Sequence, residues 1–301
     1  MVNKLDLNVL PRQNNHQEKN VLPRQNNYQG KTALVTGASA GIGLEFVNQL
    51  AAKGCNLVLT ARREERLLQI AAELTQKFNI KTHVIALDLA DPGAPESLQS
   101  QLHARQIQVD ILINNAGFGL PGILVSQPWT AHAASLQVLL IAPTQLCRAF
   151  IPAMRERGWG RVINVASLAG LVPPSASHTT YGAIKSYLIR FSESLALEEA
   201  KSGVAVLALC PGFTYSEFHD ANGARSRVQA LPKFMWMDAA TVVRQGLVAL
   251  EAGKSVYING GINKFIAALC KFLPNAIASW LVNRNANKFR EPNGANDVSN
   301  G

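Results

Sequence analysis

The chain is short of cysteine, of acid and of patterned basic runs, and each shortage removes a class of function. Its four cysteines, Cys55, Cys147, Cys210 and Cys270, are scattered. They form neither a disulfide framework nor a metal-ligand spacing, so no metal site is expected. They read as reduced core thiols of a cytoplasmic protein. Asp and Glu number 20 against 29 Lys and Arg, a formal net charge of +9. That surplus favours anionic ligands or surfaces, or is simply a solvated basic face. No basic run is interleaved with aromatics, which argues against nucleic acid. The first thirty residues hold no apolar stretch long enough for a signal peptide or a membrane span.

What is there is core-forming material. Apolar residues make up 48% of 301 positions, enough for one large α/β domain or two small ones. The N-terminal region carries a tandem duplication: NVLPRQNNHQEK over 8–19 is followed by NVLPRQNNYQGK over 20–31, with two differences. Two copies are too few for a repeat architecture. Its Asn, Gln, Pro and Arg content predicts a flexible arm over 1–30. Display of Arg12 and Arg24 as a docking peptide is the functional alternative.

A buried strand over 32–36 runs into Gly37-Ala38-Ser39-Ala40-Gly41-Ile42-Gly43 and then a helix to about Lys53. Strand, glycine turn and helix make a phosphate-binding arrangement. Glycines let backbone approach a pyrophosphate, and the helix start offers free N–H groups and a positive dipole end. Ser39, Ala40 and Ile42 share that turn. The next strand, over 56–60, ends in Ala61-Arg62-Arg63, with no carboxylate until Glu64. An acid there would hold a ribose 2′-hydroxyl. Arginines suit a 2′-phosphate instead, so NADP(H) is favoured over NAD(H). Helix capping is the alternative role, more so for Arg63 than for Arg62. A strand over 82–87 ends at Asp88-Leu89, where the carboxylate either accepts from an adenine amino group or caps a turn. The strand over 111–113 ends in Asn114-Asn115-Ala116-Gly117, a small polar turn where a cofactor could lie against backbone.

In the second half, a strand over 161–166 ends in Ser167, and Tyr181-Gly182-Ala183-Ile184-Lys185 follows at the start of a helix running to about Ala200. Residues four apart share a helix face. An ammonium beside a phenol is expected to lower the phenol's pKa toward neutrality and fit it for proton transfer.

Together these motifs resemble the short-chain dehydrogenase/reductase family. They comprise Thr36-Gly37-x-x-x-Gly41-x-Gly43, Asp88-Leu89, Asn114-Asn115-Ala116-Gly117, Ser167, Tyr181-x-x-x-Lys185 and Pro211-Gly212, in family order over roughly 31–260. The resemblance implies a doubly wound Rossmann sheet of about seven strands and an NAD(P)(H)-dependent alcohol–carbonyl interconversion. It implies that Ser167 hydrogen-bonds the substrate carbonyl oxygen, that Tyr181 protonates it as hydride arrives from the nicotinamide, and that Lys185 holds the nicotinamide ribose. It also implies that Pro211, Gly212, Phe213 and Ser216 border the nicotinamide carboxamide, with Ser216 where threonine is usual. One position departs: Leu139 stands where the family commonly has asparagine. A backbone carbonyl remains there, and Pro143 withholds its usual helical donor, so a changed water path is expected.

The segment over 217–237 has no clear period and fits a lid. A helix over 238–252 and a last strand over 255–258 complete the domain. The segment over 262–282 is rich in Phe, Leu, Ile and Trp but is interrupted by Lys271 and Pro274. This helical extension, placed at 261–290, has three readings. It closes the pocket, or it packs on another subunit in a homo-oligomer. Or it lies on a membrane surface, with Lys264, Lys271, Arg284, Lys288 and Arg290 facing anionic lipid. Residues 291–301 read as a disordered tail. The expected substrate is a lipophilic ketone or aldehyde. The alternatives are a 3-oxoacyl group on an acidic carrier protein and a nucleotide-binding scaffold without turnover.

Overall fold

The computed structural model describes residues 28–176, 179–215, 233–274 and 277. Strands and helices alternate: β1 (Thr32–Thr36), α1 (Gly41–Ala52), β2 (Asn56–Ala61), α2 (Glu64–Phe78), β3 (Thr82–Ala86), α3 (Ala94–Ala104) and β4 (Ile111–Asn114). Next come α4 (Trp129–Leu136), a π-helical turn (Gln137–Ile141), α5 (Ala142–Glu156), β5 (Gly160–Val165), α6 (Thr179–Glu198) and β6 (Val204–Cys210). Last are α7 (Ala239–Glu251), β7 (Val256–Ile258) and α8 (Gly261–Phe272). The sheet is parallel throughout, in the order β3-β2-β1-β4-β5-β6-β7. The order reverses between β1 and β4, and their carboxyl ends open a crevice there.

The central strands are near-continuous apolar runs because helices cover both faces. On one face, Phe46, Val47 and Leu50 of α1 share a core with Leu67 and Ile70 of α2 and Val242, Val243 and Leu247 of α7. On the other, Leu98 and Leu102 of α3 and Leu146, Phe150 and Met154 of α5 pack against Leu34, Leu112 and Val162. Each fully buried side chain of this size contributes roughly 1.5–3 kcal/mol. The helix Trp129–Glu156 is long and apolar enough to cross a membrane, but more than half of its apolar stretch is buried against the rest of the domain. It is a core helix of this sheet.

The expected arm over 1–30 needs correction at its end. Tyr28 is buried, its hydroxyl donates to Glu251 Oε1 at 2.5 Å, and its ring meets Trp159 edge-on at 6.3 Å. Glu251 in turn accepts from Arg161 Nε at 2.7 Å and Nη2 at 3.0 Å. Gly30 sits at φ +73°, a conformation that L side chains rarely adopt. The two positions at which the duplicated segments differ are these two: Tyr28 replaces His16, and Gly30 replaces Glu18. The second copy thus carries residues that dock onto the sheet, and the packed domain includes Tyr28. Residues 1–27, the 291–301 tail and most of the proposed lid lie outside the described residues. Of the C-terminal extension, α8 is described, with Leu273, Pro274 and Ile277 beyond it.

Candidate active site

Thr36, at the end of β1, joins two of the motifs. Its Oγ1 accepts from the backbone N–H of Asn115 at 2.9 Å and of Ala116 at 3.0 Å, and donates to the carbonyl of Ile113 at 3.3 Å. Asn115 Nδ2 donates to the carbonyls of Thr36 at 3.0 Å and Gly37 at 3.3 Å. This lacing leaves no room for side chains. A Cβ on Gly37 would meet Asn115 Nδ2 at 2.8 Å, and one on Gly43 would meet the Gly37 carbonyl oxygen at 2.1 Å. Helix α1 starts at Gly41 with no side-chain cap from Ala40, so its first N–H groups face the turn. Ser39, Ala40, Gly41 and Ile42 form that mouth.

At the end of β2 the two arginines are placed differently. Arg63 is the N-cap residue of α2 but makes no side-chain cap. Its guanidinium instead reaches the glycine turn, donating to Ser39 Oγ from Nη2 at 3.0 Å and Nε at 3.3 Å. Arg62 is exposed beside it. Asp88 is exposed and caps its own turn, with Oδ1 accepting from Ala90 N–H at 3.0 Å. Leu89 belongs to a small core with Val138 and Ala142, against which Ala116 packs.

Ser167 follows β5 and is buried, its Oγ accepting from Ala169 N–H at 3.1 Å. The neighbouring Leu168 N–H donates to the carbonyl of Pro211 at 2.9 Å, tying the serine loop to Pro211-Gly212 beyond β6. Tyr181 stands on the first turns of α6 and hydrogen-bonds the Ser167 side chain. Lys185, one turn on, is buried; its Nζ lies 5.5 Å from the Tyr181 ring centroid and donates to the carbonyl of Val165 at 2.7 Å. Serine, phenol and ammonium are therefore assembled at the carboxyl ends of β5 and β6.

Their electrostatics correct one expectation. Burial pushes the Tyr181 phenol up to about 12, with the Ser167 hydroxyl, donating to the phenol oxygen, pulling weakly the other way. Burial lowers the Lys185 ammonium to about 8. Desolvation governs the phenol, because the ring is enclosed and the ammonium's hydrogen bond goes to a backbone carbonyl. A phenol held protonated at neutral pH is in the form needed to donate a proton.

Leu139 is buried in the π-helical turn, where Ala142 N–H donates to the Gln137 carbonyl and Pro143 has no N–H to give. A Cβ on Gly117 would meet Leu139 Cδ2 at 2.5 Å, so leucine and glycine fit one another. Two contributors were not foreseen. The sequence shows Thr36 only as the first residue of a motif. Asn263, on α8, fills the space a side chain on Gly212 would need, with Nδ2 2.5 Å from such a Cβ. Nothing in local spacing connects Asn263 to Gly212. Beyond Gly212, Phe213 and Tyr215 flank Trp236, with ring centroids at 5.7 Å and 4.7 Å. Backbone bonds between Tyr215 N–H and the Met237 carbonyl, and between Met237 N–H and the Phe213 carbonyl, close the neck of the segment over 216–232. That segment, with Ser216, lies outside the described residues.

A glycine cradle, an uncapped helix start and an arginine tied to the cradle's serine fit a nicotinamide dinucleotide. Comparison with known proteins agrees. The family model described as short chain dehydrogenase matches residues 31–226. A very-long-chain 3-oxoacyl-CoA reductase of Laccaria bicolor is 36% identical over 189 residues, 62% of this chain and 55% of that protein. The 3-oxoacyl-[acyl-carrier-protein] reductase of Escherichia coli is 30% identical over 230 residues, 76% of this chain and 92% of that one. A short-chain dehydrogenase from Sphingobium yanoikuyae, solved in complex with NADPH, superposes with a TM-score of 0.71 at 29% identity, covering 88% of this chain and 99% of that one. The chain belongs to the short-chain dehydrogenases, nicotinamide-dependent oxidoreductases of alcohols and ketones.

Proposed function

We propose that this protein is an NADP(H)-dependent reductase of a lipophilic ketone or aldehyde. The observation that carries the cofactor choice is the Arg63–Ser39 bond, which holds a guanidinium over the glycine turn with no carboxylate at the end of β2. Ser39, Gly37, Gly41, Ile42 and Gly43 would receive the pyrophosphate, and Arg62 and Arg63 the 2′-phosphate. Asp88 and Leu89 would border the adenine. Asn115, Ala116 and Gly117 would line the path onward, and Pro211, Gly212, Phe213 and Ser216 the nicotinamide end.

The cofactor supplies the hydride. Ser167 then positions the substrate carbonyl oxygen by hydrogen bonding. As negative charge grows on that oxygen, the Tyr181 O–H bond breaks and its proton passes across, leaving a phenolate beside the Lys185 ammonium. Donors aimed at charge that develops only in the transition state lower the barrier more than they tighten ground-state binding. The apolar substrate class rests on Phe213, Tyr215 and Trp236 at the neck of the loop and on Ile123, Leu124 and Trp129, all exposed, in the segment after β4.

The test is NADPH and NADH oxidation against aliphatic, aromatic, steroidal and acyl-thioester carbonyls. Turnover should prefer NADPH, vanish in Tyr181→Phe and fall roughly 100- to 1000-fold in Ser167→Ala, with NADPH affinity kept in both. Tight NADPH binding without turnover on any carbonyl would overturn the reductase. A second reading, reduction of 3-oxoacyl thioesters, draws on the names of the Laccaria and Escherichia relatives. Turnover confined to acyl thioesters, or dependent on an acidic carrier protein, would favour it.

A further inference from the structure

Helix α8 carries an apolar stripe that nothing among the described residues covers. Ile262, Phe265, Leu269 and Phe272 lie at i, i+3, i+7 and i+10, on one side of the helix. They are 42%, 67%, 41% and 84% exposed. Asn263 and Ala267, on the inner side, are the buried residues of the helix. The helix is joined to the site through its inner side. Its Asn263 Nδ2 donates to the Asn259 carbonyl at 2.8 Å and approaches Met237 Sδ at 3.8 Å, next to Gly212. The stripe thus lies on the helix that borders the Gly212 end of the active site.

The charge along this part of the sequence is of one sign. From Ala252 to Arg290 the chain has no Asp or Glu, while it has Lys254, Lys264, Lys271, Arg284, Lys288 and Arg290. A second copy of this +9 chain would bring the same cations against themselves. Lys264 and Lys271 lie on one flank of the stripe, with Lys264 Nζ 4.5 Å from the Tyr257 ring centroid and 3.3 Å from its hydroxyl. A phenylalanine-bearing stripe flanked by cations has the composition of a helix lying in a lipid interface. Apolar rings enter the acyl boundary, and lysines stay at the level of anionic headgroups.

We propose that α8 docks the protein onto an anionic lipid surface through Phe265, Leu269 and Phe272, with Lys264 and Lys271 contacting headgroups. Docking there sets the Gly212 end of the site at the bilayer. A membrane-dissolved carbonyl compound then enters without crossing water. The docking itself stands on the helix and is independent of which carbonyl is reduced.

The test is flotation of the full chain with vesicles of phosphatidylcholine alone and of phosphatidylcholine with phosphatidylglycerol. The protein should float with the anionic vesicles, less with the neutral ones, and less at high salt. Phe265→Ser with Phe272→Ser should weaken binding at least about tenfold, and Lys264→Glu or Lys271→Glu should each weaken it about fivefold or more. NADPH affinity and turnover of a short, water-soluble carbonyl serve as folding controls and should not change. Equal flotation of wild type and the double phenylalanine variant would overturn the proposal. So would a concentration-dependent dimer, or a complex with an acidic carrier protein, that forms without vesicles and is lost in that variant. Loss of turnover in the Tyr181→Phe protein, with flotation kept, separates failure of the chemistry from failure of the docking.

Discussion

Lys185 Nζ donates to the carbonyl of Val165 at 2.7 Å, which anchors the ammonium to the end of β5 and leaves it beneath the Tyr181 ring. The cost of that position is readable in pH. Lys185 titrates near 10.5 when unfolded and near 8 when folded. Between those values the unfolded chain binds the extra proton, so the contribution of Lys185 to stability rises with pH across the window. Below pH 8 the folded protein carries the full penalty of a buried charge. Relative to Lys185→Met, the wild type should therefore gain stability from pH 8 to 10.5, by at most about 3 kcal/mol. Denaturant unfolding of both proteins at several pH values measures this. A constant difference would show that the ammonium is not desolvated.

Arg63 reaches Ser39, and Arg62 does not. Arg63→Ala should raise the NADPH dissociation constant about ten- to a hundredfold, the loss of one or two charge-assisted hydrogen bonds, and leave NADH binding nearly unchanged. Fluorescence titration of both nucleotides checks it. An equal loss for NADPH and NADH would mean that Arg63 serves only to brace the turn.

Tyr28 belongs to the folded domain. Tyr28→Phe removes one hydrogen bond but leaves Glu251 with Arg161, and should cost about 1 kcal/mol. Tyr28→Ala also empties the contact with Trp159 and should cost about 3–5 kcal/mol. Thermal and urea unfolding report both. No loss in Tyr28→Ala would return the boundary to residue 31.

Leu139 and Gly117 fill one space. Gly117→Ala should destabilise by about 1–3 kcal/mol through overpacking. Leu139→Asn buries an amide in the same place and should lower stability by a similar amount, while changing kcat by less than about threefold. A large rise in kcat for Leu139→Asn would show that proton transfer in the natural protein is limited by the missing side-chain amide.

The motifs at the carboxyl strand ends, the alternation of strands and helices and the parallel sheet were readable from the chain alone. They depend on short-range requirements: glycine where a Cβ would strike the Gly37 carbonyl, apolar runs where both sheet faces are covered, and tyrosine and lysine one helical turn apart. Tertiary structure decided what depends on neighbours far along the chain. It brought Arg63 to Ser39, twenty-four residues earlier, a contact that local spacing does not announce. It placed Tyr28 in the core, where a composition rich in Asn and Gln had suggested an arm, because the partner Glu251 is 223 residues away. It also set the protonation of the site. Spacing put an ammonium near a phenol, but whether charge attraction or desolvation governs the phenol depends on burial and on where the ammonium's hydrogen bond goes, and both are properties of the packed molecule.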